Sequence, residues 1–139
     1  GDNRMVFAGM NYLAILVAAV AAFGFGSIYY MGLSHQWLAA VGRKKEELGA
    51  SMTPFVVSIV SLLVMAQVLA GTIAHLAGGQ PTLKTGIATA AFMWLGFVAT
   101  TTATNYAFGG RKASLTVIDA IHWLGVLVIQ GAIIGAIGI

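Results

Sequence analysis

The chain contains no cysteine. That excludes disulfides, thiolate metal ligands, iron–sulfur clusters and a cysteine nucleophile, and leaves the redox compartment unmarked. Charge is scarce as well: only 8% of the 139 residues are charged and 59% are hydrophobic. A soluble domain carries roughly a quarter charged residues. A water-facing exterior cannot be assembled from this composition, whereas a lipid-facing one accepts Leu, Ile, Val, Ala and Phe directly. The net charge of +3 includes no basic run long enough to follow a phosphate backbone, so nucleic acid is excluded as a partner. Catalytic words are missing too. There is no H-E-x-x-H, no G-x-S-x-G and no phosphate loop, and a single acid falls inside the apolar segments, which makes a poor case for an enzyme.

What is present is four long apolar segments, each near the 20 residues that a bilayer crossing needs. They read as spans over residues 10–31, 53–77, 83–108 and 115–138. The expected fold is therefore all-α, a single bundle of four transmembrane helices over residues 10–138 behind an N-terminal tail, 1–9. Gly1–Arg4, ahead of Met5, reads as a non-native remnant and is set apart from the fold. The first span ends in aromatics rather than a small-residue cleavage site, which argues against a cleavable secretory signal. Thr53 before Pro54 reads as an N-cap with proline at the first helical position. "GGQP" (Gly78–Pro81) and Gly109–Gly110 bound the third span as turns. Spans 1 and 3 both close on aromatics and glycine, and spans 2 and 4 each hold a glutamine, so two tandem helical hairpins are a variant of the same fold.

Basic residues set the orientation. Arg43, Lys44 and Lys45 follow span 1, Arg111 and Lys112 follow span 3, and the connection after span 2 offers Lys84 alone. The positive-inside rule places the first and third connections in the cytoplasm and both termini outside. Within the first connection, His35–Leu48 has Trp37, Leu38 and Val41 ahead of its charges. A short interfacial helix and an irregular tether with a snorkelling basic cluster are both open readings.

Polar residues inside the spans carry whatever function the chain has. Asp119 and His122 lie one turn apart near the cytoplasmic start of span 4, close enough to share a hydrogen bond. Asn105 and Thr101 near the end of span 3, and Tyr30 at the end of span 1, stand at the same level and complete a candidate ligand-binding pocket facing the cytoplasm. The competing reading is that isolated hydroxyls bond back to their own helix carbonyls. Gln67 and Gln130 each lie roughly 20 Å from the cytoplasmic ends of their helices, at a depth where two amides can satisfy each other within the chain or across a dimer. Ala18, Ala22 and Gly26 form a period-four stripe on span 1, and Gly131 with Gly135 a G-x-x-x-G pair on span 4. Small residues let helix backbones approach, and spans 1 and 4 are expected to make the closest contact through these.

"NYLAILVAAVAAFGFGSIYY", Trp37, "WLGFVATTTATNYAFGGRK" and "IDAIHWLGVLVIQGAIIGA" together resemble the domain of unknown function 1761 family, small bacterial membrane proteins with four expected spans. The resemblance runs from Asn11 onward and implies a four-span protein without implying an activity. No cofactor and no metal site is indicated: His75 and His122 fall at opposite ends of their helices, roughly 20 Å apart in depth, too far to ligate one haem iron. Two function classes stay open. One is binding or transport of a small molecule or proton through the polar pocket. The other is an accessory or homo-oligomeric subunit assembled in the bilayer through the small-residue faces.

Overall fold

The structure is a computed structural model that describes residues 11–49 and 51–138. Met10, the tail 1–9 and the remnant read at Gly1–Arg4 lie outside the described residues. Among the described residues six α-helices follow one another: α1 (Tyr12–Gly32), α2 (Ser34–Val41), α3 (Thr53–Leu76), α4 (Leu83–Met93), α5 (Thr100–Phe108) and α6 (Ala113–Ile137). Between α4 and α5 the chain stays helical as a π-helical segment, Trp94–Ala99. Four helices are long and apolar enough to cross a membrane: α1, α3, the composite Leu83–Phe108, and α6, with mean hydropathies of 2.0, 2.3, 1.4 and 2.0 in their most apolar windows. No strand occurs among the described residues.

Local chemistry sets the helix ends. Asn11 caps α1, its side-chain oxygen accepting from the Ala14 N–H at 3.1 Å. Thr82 and Thr85 close a reciprocal capping box at the start of α4, with Thr85 N–H donating to Thr82 Oγ1 at 3.1 Å and Thr82 N–H to Thr85 Oγ1 at 2.9 Å. The expected cap at Thr53 is displaced: Thr53 is already helical, Met52 holds the cap position, and the Ser51 hydroxyl accepts from the Thr53 N–H at 3.1 Å. Pro54 keeps its place in the first turn, where its missing N–H leaves no bond unmade. Gly78 and Gly79 turn the chain from α3 to α4 at φ values of 61° and 82°, a region that costs a β-carbon strain. In the first connection the helical reading holds for Ser34–Val41, which ends at Gly42 in the left-handed conformation; a single 3₁₀ turn follows at Lys45–Glu47.

The spans alternate in direction, and each packs against its sequence neighbour; α6 also packs against α1 and, across the bundle, against α3. The core is small in side chain and tight in backbone. Ala18, Ala66, Ala70, Ala90, Leu69, Ile73, Leu127 and Ile134 form one buried cluster, and Ala19, Ala22, Leu62 and Val126 a second. Ala18 and Ala22 thus do pack inward, as their spacing suggests. The closest approach, however, is not between spans 1 and 4 through Gly131 and Gly135. It is between α4 and α6. A β-carbon at Gly131 would overlap the Gly86 carbonyl oxygen, and one at Gly135 the Thr82 carbonyl oxygen, so these backbones touch directly. Gly86, unremarked in the sequence, is the missing half of the contact.

Gln130 is fully buried and turns to the main chain: its Nε2 donates to the Leu62 carbonyl at 3.0 Å. Its Oε1 has no hydrogen-bond partner, so it accepts nothing from Gln67. Within the chain this amide thus makes an amide-to-backbone link between α6 and α3.

Candidate functional site

Asp119 and His122 both face the bundle interior, each 8% exposed. They occupy the second and third turns of α6, at the end of the bundle that also carries Arg43, Lys44, Lys45, Arg111 and Lys112. The carboxylate is caged by two phenols. Tyr30 of α1 donates to Oδ1 at 2.7 Å, and Tyr106 of α5 donates to Oδ2 at 2.6 Å. Tyr29 adds a third tie between α1 and α6, donating to the Ile118 carbonyl at 2.6 Å. One carboxylate therefore fastens three spans, and hydrogen bonds to a charged group are the strong ones.

His122 is not bonded to Asp119, which corrects the expected pair: both carboxylate oxygens are taken by tyrosine hydroxyls, and the imidazole Nδ1 is buried with no hydrogen-bond partner. The ring is held by aromatic contact instead. Its centroid lies 4.7 Å from Tyr30, 4.6 Å from Trp123 and 5.7 Å from Tyr29, and it stacks on Phe25 at 6.1 Å with an 8° interplanar angle. Two glycines make room. Gly26 of α1 lies against the Nε2 edge, where a β-carbon would come within 2.8 Å, and Gly125 accommodates the Phe25 ring. Gly26 is thus a genuine contact between spans 1 and 4, but its partner is the imidazole rather than a second helix backbone.

Asn105 and Thr101 stand outside this cluster. Both are exposed, and Thr101 donates back to Phe97 and Val98 carbonyls at 2.6 and 3.1 Å. The π-helical segment is the reason. In unbroken α-helix the eleven positions from Trp94 to Asn105 make about three turns, which would stack Asn105 on the Trp94 face. A π segment takes up one extra residue, so Tyr106 inherits that face and Asn105 rotates about 100° away. Trp94 itself faces α6, its Nε1 donating to the Ala120 carbonyl at 2.7 Å, one residue from Asp119. Tyr106 is the member of this cluster that the sequence reading leaves out. The usable signal was a phenol within a few residues of an expected intramembrane acid.

Beside His122 the helices α1 and α3 part. Their small residues meet at Ala18, Ala22, Leu62 and Ala66, but toward Tyr30 and Pro54 they enclose a cleft of about 500 Å³ floored by His122 and Trp123 of α6. Phe23, Gly26 and Tyr30 form one wall, and Phe55, Ser58 and Ser61 the other. Phe55 and Val57 are exposed at its border, on the flank of the bundle. At 1.5 Å per residue, Ser61 on α3 and His122 on α6 lie at similar depths, about 12 and 13 Å from the ends of their helices. Among the described residues no three His, Asp or Glu side chains converge as metal ligands do.

A family model for proteins of unknown function, DUF1761, matches residues 13–135. Neither the curated proteins nor the solved structures include a significant match to this sequence. The matched stretch includes the second and third spans and all but the outermost residues of the first and fourth, with Tyr30, Tyr106, Asp119 and His122 inside it, and on that match the chain belongs to the DUF1761 family.

Proposed function

We propose that this chain binds a small amphiphilic molecule in the cleft between α1, α3 and α6, with His122 as its polar anchor. The observation that carries this reading is the imidazole itself. More than nine-tenths buried, it has an Nδ1 without a partner, while its Nε2 edge lies at Gly26 on the cleft. Among the described residues Nε2 has no hydrogen-bond partner either, and a ligand in the cleft that bonds it supplies the hydrogen bond a buried polar group calls for. The Asp119 cage is the frame: it pins Tyr30, and Tyr30 packs on the imidazole.

Binding is better supported than passage through the bundle. The buried ionisable groups, Asp119 and His122, lie at one end, whereas toward the Gly135 end the buried polar groups are Thr89 and Gln130, bonded to the Thr85 and Leu62 carbonyls, among Ile15, Leu69, Ile73, Ala90 and Ile134. The positive-inside rule, applied to Arg43, Lys44, Lys45, Arg111 and Lys112 against Lys84, assigns the cleft to the cytoplasmic leaflet of a bacterial inner membrane, with both termini outside. Assembly through the small-residue faces has less to act on, because Ala18, Ala22, Gly131 and Gly135 are occupied within the chain.

Native mass spectrometry of the detergent-extracted protein tests the reading. A near-stoichiometric bound small molecule is expected in the parent protein and is expected to be lost in Ser58→Phe, which fills the cleft from a partly exposed wall. An empty parent protein, or equal retention by the variant, refutes it.

A further inference from the structure

The chemistry of the cleft lining restricts what it can hold. None of its lining residues is Asp, Glu, Lys or Arg. The nearest acid, Asp119, has an oxygen committed to each of two tyrosines. A cationic ligand would find no counter-charge, and an anionic one no permanent positive charge, the one basic group there being the buried imidazole of His122, so in this desolvated setting the occupant is neutral.

The hydroxyls then say which polar groups that neutral molecule carries. Several hydroxyls in the spans bond back to their own helix: Ser27 to the Phe23 carbonyl, Thr72 to Val68, Thr89 to Thr85, Thr100 to Gly96 and Thr101 to Phe97, all between 2.6 and 2.9 Å. Ser58 and Ser61 do not, and unlike the unbonded Thr102, Thr104, Ser114 and Thr116 they face the cleft. Both line the cleft, and among the described residues neither hydroxyl has a hydrogen-bond partner. They lie three positions apart, on one face of α3. Two unbonded hydroxyls on one wall, each able to donate or accept, and the Nε2 edge of His122 on the floor are the polar groups open to a ligand. A ligand carbonyl, with two lone pairs, meets both hydroxyls as donors.

Shape restricts it further. The largest side chains around the cleft are flat: Phe23, Tyr30, Phe55 and Trp123. Aromatic faces stack on a planar ring better than on a flexible acyl chain. The polar groups approach from two different helices, so a ring bearing oxygens at opposite positions meets Ser58 and Ser61 with one and His122 with the other. We infer that the ligand of this cleft is a neutral, flat ring compound with opposed carbonyl oxygens, of the 1,4-quinone class, taken up from the lipid phase between α1 and α3. This rests on the binding reading above and adds to it the class of ligand.

The test uses the full chain in nanodiscs of synthetic phosphatidylcholine. Decylubiquinone is added, and bound quinone is measured by extraction and absorbance after gel filtration, corrected against empty nanodiscs. Saturable binding near one equivalent is expected. The Ser58→Ala, Ser61→Ala double variant is expected to weaken it about ten- to thirtyfold, the loss of two neutral hydrogen bonds. Decylbenzene, which has the ring and tail without the carbonyls, is expected not to compete. Binding no greater than in empty nanodiscs, indifference to the double variant, or competition by decylbenzene each overturns the inference. Should native mass spectrometry show the cleft holding some other amphiphile while quinone fails to bind, the ligand class falls and the binding reading stands.

Discussion

Replacing Gly131 by alanine tests the central packing contact with a single methyl group. That methyl would overlap the Gly86 carbonyl oxygen, approach Ala90 Cβ at 2.9 Å and lie 3.0 Å from the Gly86 carbonyl carbon. Two of the three obstacles are backbone, which cannot rotate aside as a long side chain can, so α4 and α6 must separate. Overpacking of this kind costs about 1–3 kcal/mol, and the upper half of that range applies because the parting helices also lose contact at Gly135. Gly24 of α1 is the control, since a β-carbon there meets nothing within 4 Å. Alanine at that position is expected to be neutral or to stabilise by up to about 1 kcal/mol through helix propensity and a less flexible unfolded chain. Both variants are compared with the parent by SDS titration in mixed micelles, following helicity by circular dichroism. Gly131→Ala is expected to shift the midpoint to lower SDS fraction and Gly24→Ala to leave or raise it. An unchanged midpoint for Gly131→Ala would refute the backbone contact.

Other expectations follow from the same geometry. Tyr106→Phe and Tyr30→Phe each remove one donor from the buried carboxylate and should cost about 1.5–3 kcal/mol in the same titration; a silent Tyr106→Phe means that the Asp119 cage is not formed. Deleting Gly96 should convert the π-helical segment to regular α-helix while leaving Tyr106 facing Asp119. Inserting one alanine after Gly96 should rotate Tyr106 by about 100° and destabilise as much as Tyr106→Phe; equal tolerance of both changes would refute the register argument. Gln130→Leu should be nearly neutral or stabilising, because it removes an unsatisfied buried oxygen along with the bond to Leu62, and a loss of several kcal/mol would show that the amide bond matters more than the burial cost. A reporter inserted at Gly109–Ala113 should read as cytoplasmic and one at the C-terminus as periplasmic; the reverse pattern would put the cleft in the other leaflet.

The number, length and alternation of the spans were legible because they depend on one-dimensional quantities. Runs of apolar residues near bilayer length, interrupted by glycine, proline and basic clusters, are readable without any pairing information. Burial of Asp119 and His122 was legible for a related reason, since a scarce polar group in an apolar helix has few places to go but inward. The involvement of Tyr30 followed from its depth alone.

Partner choice belonged to the tertiary structure. The G-x-x-x-G pair announces a close approach but not to which helix, because small residues fit any backbone that arrives; only the fold shows that Gly131 and Gly135 meet Gly86, Thr82 and Leu83. Asn105 and Tyr106 are adjacent in sequence, and which of them faces Asp119 is decided by one additional residue taken up in the Trp94–Ala99 segment. A helical wheel with a constant 3.6-residue period cannot represent that shift. The imidazole was expected to pair with the carboxylate three positions away, yet two phenols from other helices arrived first and left His122 to the aromatic rings and the cleft. Spacing along a chain determines which groups share a face, and competition among groups brought in by other segments determines which of them bond.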